Sequence, residues 1–136
     1  MGQPGGSTRD IASAERRAII LRSTLRLLAE RGLYNTKIAD IARESGASIG
    51  SIYHHFGSRE GVFYALYIET FELCFAELRA AVLPSTTARE GIRNLADTYL
   101  RWVEAHPARA TFIYDVSQGD ILRSFPSEIA AFKGAF

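Results

Sequence analysis

Along the first third of the chain, apolar positions recur at three- and four-residue intervals. Ile20, Leu21, Leu25, Leu28 and Ala29 fall on one face of a helix within the run Ser13 to Arg31, and Gly32 follows where a helix most readily ends. Ile38, Ile41 and Ala42 predict a second, short helix over Lys37 to Ser45, with Thr36 as N-cap and Gly46 as stop. Ser48 is the next capping residue. Ile52 and Phe56, four apart, then form the inner face of a third helix closed by Gly57.

A longer pattern follows. After Ser58 two stripes overlap up to Val82, Phe63/Leu66/Thr70/Cys74 and Tyr64/Ile68/Phe71/Phe75/Leu78/Val82. They predict a fourth helix that is apolar on more than one side and packs both on the head and on something beyond it. Pro84 and Ser85 interrupt the pattern. Thr87-Ala-Arg-Glu90 has capping-box spacing for a fifth helix carrying Ile92, Leu95, Ala96, Tyr99, Leu100 and Val103. Pro107 suits the first turn of a sixth helix with Phe112, Ile113 and Val116; Ser117 to Asp120 reads as a loop, and another helical pattern begins at Pro126. No run alternates with the period of a strand, so the expected fold class is all-α.

Composition changes this picture in three places. Net charge is only +1, but residues 1–62 hold nine Lys/Arg against six Asp/Glu and residues 63–136 seven against nine, a mild hint of an anionic partner for the head alone. Cys74 is the single cysteine, which excludes an intrachain disulfide and a multi-cysteine metal site and points to a reducing cytoplasm. Nothing approaches the ~18 consecutive apolar residues of a membrane span. The opening MGQPGGSTRD lacks the apolar core of a signal peptide and reads as a flexible arm over residues 1–12.

Helix two, the tight turn at Gly46-Ala47 and helix three together make a helix-turn-helix, whose second helix suits the major groove of DNA. With Ile52 and Phe56 inward, Ile49, Gly50, Ser51, Tyr53 and His54 lie outward. Glycine in a helix interior costs ~1 kcal/mol relative to alanine, and at Gly50 the missing side chain lets the helix start come close to bases or phosphates. Ser51 and the amides of the helix start donate to phosphate oxygens, aided by the helix dipole. Tyr53 adds a hydroxyl and His54 a further donor.

These residues carry a family resemblance. The helix-one ending AERG, the IADIARESG of helix two and the IYHHFGSREG that closes helix three resemble the N-terminal head of TetR-type transcriptional regulators over roughly residues 13–66. The resemblance implies a three-helix head over residues 13–58, joined by the long fourth helix to a helical ligand-binding and dimerisation domain over residues 59–136. It implies a double-stranded DNA operator, a homodimer, a small-molecule effector and no membrane partner. Thr36, Lys37 and Arg59 are then expected on phosphates, Ser48, Ile49, Gly50 and Ser51 near base edges, and Tyr53 and His54 on backbone and bases. Many relatives have lysine where Ile49 and Arg59 stand; Ile49 gives up a phosphate contact and can meet a thymine methyl instead. The family also continues into further helices, including a pair that builds a four-helix dimer interface, and this chain stops near the expected seventh.

Other chemistry finds less support. Adjacent His54 and His55 point about 100° apart on a helix, and no cysteine or acid pair completes a ligand set, so no metal is expected. No nucleophile with a base, paired acids or phosphate-cradling loop has the right spacing, and no cofactor or enzymatic activity is expected. Twelve of the fifteen aromatics follow residue 62. Phe71, Phe75, Tyr99, Trp102 and Phe112 among them read either as plain core or as the lining of a ligand pocket. The rival to a regulator is a non-catalytic helical ligand-binding or interaction module without operator binding.

Overall fold

The computed structural model describes residues 7–135. Seven α-helices follow one another: α1 (Thr8–Arg31), α2 (Ile38–Ser45), α3 (Ile49–Phe56), α4 (Arg59–Val82), α5 (Ala88–Ala105), α6 (Pro107–Gln118) and α7 (Pro126–Gly134), with a 3₁₀ turn at Ile121–Ser124; no strand occurs among the described residues. The chain divides into two compact units between Val62 and Phe63. None of these helices is long and apolar enough to cross a membrane.

α1 begins earlier than its apolar pattern. Residues 8–12, expected in a flexible arm, are helical, because the Ser7 hydroxyl accepts the Arg9 N–H at 3.1 Å while the Asp10 carboxylate accepts the Ser7 N–H at 3.1 Å. The remainder of the expected arm, residues 1–6, lies outside the described residues. At the other end the three expected stops hold: Gly32, Gly46 and Gly57 end α1, α2 and α3 at φ of 76°, 70° and 76°, where any other residue is strained.

The cap of α2 differs from expectation. Thr36 is fully enclosed and its hydroxyl donates to the Gly32 carbonyl at 2.9 Å, so the capping position passes to Lys37. Asp40, three residues on, reaches back to accept the Lys37 N–H at 3.2 Å and also pairs with Arg31 at 3.1 Å. The Lys37 N–H foremost, with Arg31 beside it, holds the Asp40 carboxyl below its ordinary range. α1 and α2 are further joined by Arg26 and Glu44 at 2.6 Å.

The head core consists of Ile20, Leu21, Leu27 and Leu28 from α1, Leu33 from the turn, Ile41 from α2, Ile52 from α3 and Val62 from α4. Each such side chain contributes about 1.5–3 kcal/mol by leaving water. Phe56, expected beside Ile52, is only half-buried, with the Arg17 guanidinium 5.1 Å above its ring.

In the second unit the two stripes of α4 separate cleanly. Phe63, Leu66, Thr70 and Cys74 are buried, whereas Tyr64, Ile68, Phe71, Phe75, Leu78 and Val82 are half-buried. Arg109 of α6 binds α4 by donating to the Glu69 carboxylate at 3.0 Å and the Thr70 hydroxyl at 2.9 Å. Tyr64 stacks on Phe125 with ring centroids 4.6 Å apart. α5 starts at the expected Thr87, which accepts the Glu90 N–H, but Glu90 returns the bond one residue earlier, to the N–H and hydroxyl of Thr86. α6 runs through Gln118, so the loop expected from Ser117 begins two residues later.

Candidate nucleic-acid interface

The helix offered to solvent is short and locally specified. The Ser48 hydroxyl accepts the Ser51 N–H at 3.0 Å, starting α3, and Ile52 is completely buried beneath it. With Ile52 as the anchor, steps of about 100° turn two i,i+4 pairs outward. Ile49 and Tyr53, 49% and 48% exposed, form one pair, and exposed Gly50 and His54 form the other. Ser48 is exposed, and Ser51 is half-buried at the margin of this face.

Gly50 has no reason inside the molecule to be glycine. A β-carbon built there meets nothing nearer than the Ser48 hydroxyl oxygen at 3.9 Å. Gly61 is the opposite case, because a β-carbon there would overlap the Phe56 carbonyl oxygen where α3 and α4 meet. Its amide is held as well, donating to the Ser58 hydroxyl at 2.9 Å. Sequence reasoning missed Gly61; its signal was a glycine in a first helical turn only three residues after a serine able to cap it.

Two residues expected on phosphates also bond within the head. Thr36 is enclosed, as described. Arg59 sends Nε to the Thr36 carbonyl and Nη2 to the Leu33 carbonyl, both at 2.7 Å, and Nη1 lies 3.4 Å from Glu60. These bonds hold the turn between α1 and α2. Lys37, by contrast, is exposed.

Electropositive groups gather between α1 and α3. Arg9, Ala12, Ser13 and Arg16 of α1 line a depression of about 270 Å³ together with Ser51, His54 and His55 of α3. Burial first, and then the positive charges of His54, Arg16 and Arg17, push the His55 imidazole below its ordinary value. Arg9 and Arg16 were absent from the expected site because they lie in and just after the stretch read as an arm.

In the second unit the five expected ligand residues differ in burial. Phe71 and Phe75 are neighbours, with centroids 5.4 Å apart; Tyr99 is exposed, while Trp102 and Phe112 are buried. One open groove of about 400 Å³ is lined by Phe75, Arg79 and Leu83 among others, and another of about 520 Å³ by Val82, Ile92 and Leu95 among others. Of the five, only Phe75 borders either. Trp102 stacks on His106 at 4.8 Å, and its buried indole N–H has no partner among the described residues.

A three-helix head whose second and third helices form a helix-turn-helix, followed by a wholly helical second unit, is the architecture of the helix-turn-helix class. The head is that of the TetR family: the profile described as bacterial regulatory proteins, tetR family, matches residues 20–66. The chain is 32% identical over 103 residues to the HTH-type transcriptional repressor KstR2 of Mycobacterium tuberculosis, covering 76% of this chain and 52% of the relative. The KstR2 of Rhodococcus jostii is 33% identical over 98 residues, covering 71% and 48%. The chain thus spans about half the length of these curated relatives. Among solved structures, the ketosteroid transcriptional regulator KstR2 of M. tuberculosis superposes with a TM-score of 0.68 at 31% identity, over 88% of this chain and 61% of that one. A TetR family transcription regulator from Marinobacter aquaeolei reaches a TM-score of 0.80 at 18% identity, over 92% and 64%, and shares the all-α fold.

Proposed function

We propose that this protein is a DNA-binding transcriptional repressor of the cytoplasm that holds a palindromic operator as a homodimer and is released by a small-molecule effector. The observation that carries this reading is the outward face of α3, where Ile49, Gly50, Tyr53 and His54 stand exposed and Gly50 faces open space. In the major groove, Ile49 meets a thymine methyl, Gly50 permits the close approach, and Tyr53 and His54 donate to phosphates or base edges. Lys37, exposed at the start of α2, supplies a salt-dependent phosphate contact. Two copies present their recognition helices to successive major grooves about 34–36 Å apart.

Residues 13–58 form the DNA-binding part of this scheme and residues 59–136 the effector-binding and dimerising part. An effector acts only by its differential affinity for operator-competent and incompetent states, typically 1–3 kcal/mol. The naming of the M. tuberculosis relative as a ketosteroid regulator and the unpartnered Trp102 indole N–H together support an effector that is mainly apolar and bears a hydrogen-bond acceptor. Selection of bound duplexes from a random-sequence pool tests the reading. Enrichment of a two-fold symmetric site is the expected result; failure to retain any duplex at low salt would leave a helical interaction module instead.

A further inference from the structure

The depression between α1 and α3 is built from two helix faces. Arg9, Ala12, Ser13 and Arg16 are spaced 0, 3, 4 and 7 along α1, and Ser51, His54 and His55 are spaced 0, 3 and 4 along α3, so each set lies on one side of its helix. The small Ala12 and Ser13 leave the floor open, and the two arginines stand at either end. No carboxylate lines it. Asp10, next to Arg9, is turned away to the Ser7 N–H. Both guanidiniums are exposed, and neither forms an ion pair or hydrogen bond with another described residue.

Nothing in the folding of the head requires this concentration of positive charge. Its lining is continuous with the recognition face, since Ser51 and His54 belong to both. We propose that this cleft seats a backbone phosphate of the DNA strand flanking the groove that α3 enters, with Arg9 and Arg16 as its principal donors and Ser13 and His55 beneath them. The proposal rests on the regulator reading. It extends the DNA footprint from α3 to the first three turns of α1, and it accounts for an amino-terminal helix that begins at Thr8 rather than at the first apolar position.

The test uses the full chain, a duplex recovered by selection with the parental protein, and the double variant Arg9→Gln/Arg16→Gln beside Arg22→Gln, an exposed α1 arginine outside the cleft. Each phosphate contact removed lowers the slope of log K against log salt by about 0.9. The double variant should therefore lose about 1.8 of slope, and the parent's advantage should shrink roughly tenfold between about 50 and about 200 mM salt. Arg22→Gln should keep the parental slope. Melting of the double variant should be parental; if it is not, Ser13→Glu supplies the second reading, introducing a charge that should weaken duplex binding as strongly.

A parental slope in both cleft variants overturns the phosphate seat while leaving the regulator reading intact. No duplex binding by the parent at any salt overturns both. Inorganic phosphate at matched ionic strength, followed through the His55 imidazole resonances, supplies the remaining arm. A shift of those resonances combined with an unchanged slope in the variants would assign the cleft to a free anion and overturn the proposal.

Discussion

Nε of Arg59 donates to the carbonyl oxygen of Thr36 at 2.7 Å, across 23 residues of chain. The same guanidinium reaches the Leu33 carbonyl at 2.7 Å, so the first residue of α4 closes the turn that connects α1 to α2. Carbonyls in a tight turn lack the ladder partners of a helix, and a planar fork satisfies two of them at once.

Arg59→Lys should therefore not behave as a conservative change. A single ammonium serves one carbonyl well and the other poorly, for an expected loss of about 1–2 kcal/mol, and Arg59→Ala should lose about 2–3 kcal/mol. Urea unfolding with an unchanged m-value reads both. A lysine variant as stable as the parent would mean that the clamp contributes nothing and that the charge serves elsewhere.

The pair Arg109 and Glu69 makes a second, separable prediction. The Arg109 side chain is 13% exposed and that of Glu69 33%, so the desolvation cost falls mainly on the arginine. Removing its partner by Glu69→Ala leaves a sheltered cation with only the Thr70 hydroxyl, at an expected cost of about 2–3 kcal/mol. Arg109→Met removes the charge itself and keeps the packing, and should cost less than Glu69→Ala. Equal losses would show that packing, not charge, decides the contact.

His55 makes head stability depend on pH. Its folded pKa lies below the ordinary 6.5, so the unfolded chain binds a proton more readily than the folded one. Stability is then greatest above about 6.5, declines as pH falls through the interval between 6.5 and the folded value, and levels off below it. His55→Gln should flatten that decline in thermal melts recorded from neutral to mildly acidic pH. A wild-type protein whose melting is flat over this range would contradict the assignment.

What was legible in the chain was local. Ser48, Gly46 and Gly57 act within a few residues of their own positions, and the periodicity around Ile41 and Ile52 needs only the geometry of a single helix, so the helix-turn-helix could be read directly. The partners of Thr36 and Arg59 inside the head were not legible, because they are set by tertiary structure: only the fold brings Leu33 and Thr36 beside Arg59. Ser7 was hidden by the Gly/Pro-rich residues before it, and with it the helical spacing of Arg9 and Arg16. The surroundings of the aromatic residues in the second unit were illegible for another reason, since periodicity assigns a face to Phe71 or Tyr99 but not the residue that face meets.

Gly50 and Gly61 give the sharpest contrast between a glycine that the fold does not require and one that it does. Gly61→Ala forces a β-carbon onto the Phe56 carbonyl oxygen, a backbone atom that cannot swing aside, and should cost about 2–3 kcal/mol. Gly50→Ala adds a methyl in open space on a helix, so it should stabilise the head by about 0.5–1 kcal/mol through helix propensity. If α3 approaches DNA closely at that point, the same methyl should weaken duplex binding at least several-fold even as the protein melts higher. Paired melting and mobility measurements on the two variants separate these effects, and a Gly50→Ala protein that is both more stable and fully competent to bind would remove the close approach from the account of this helix.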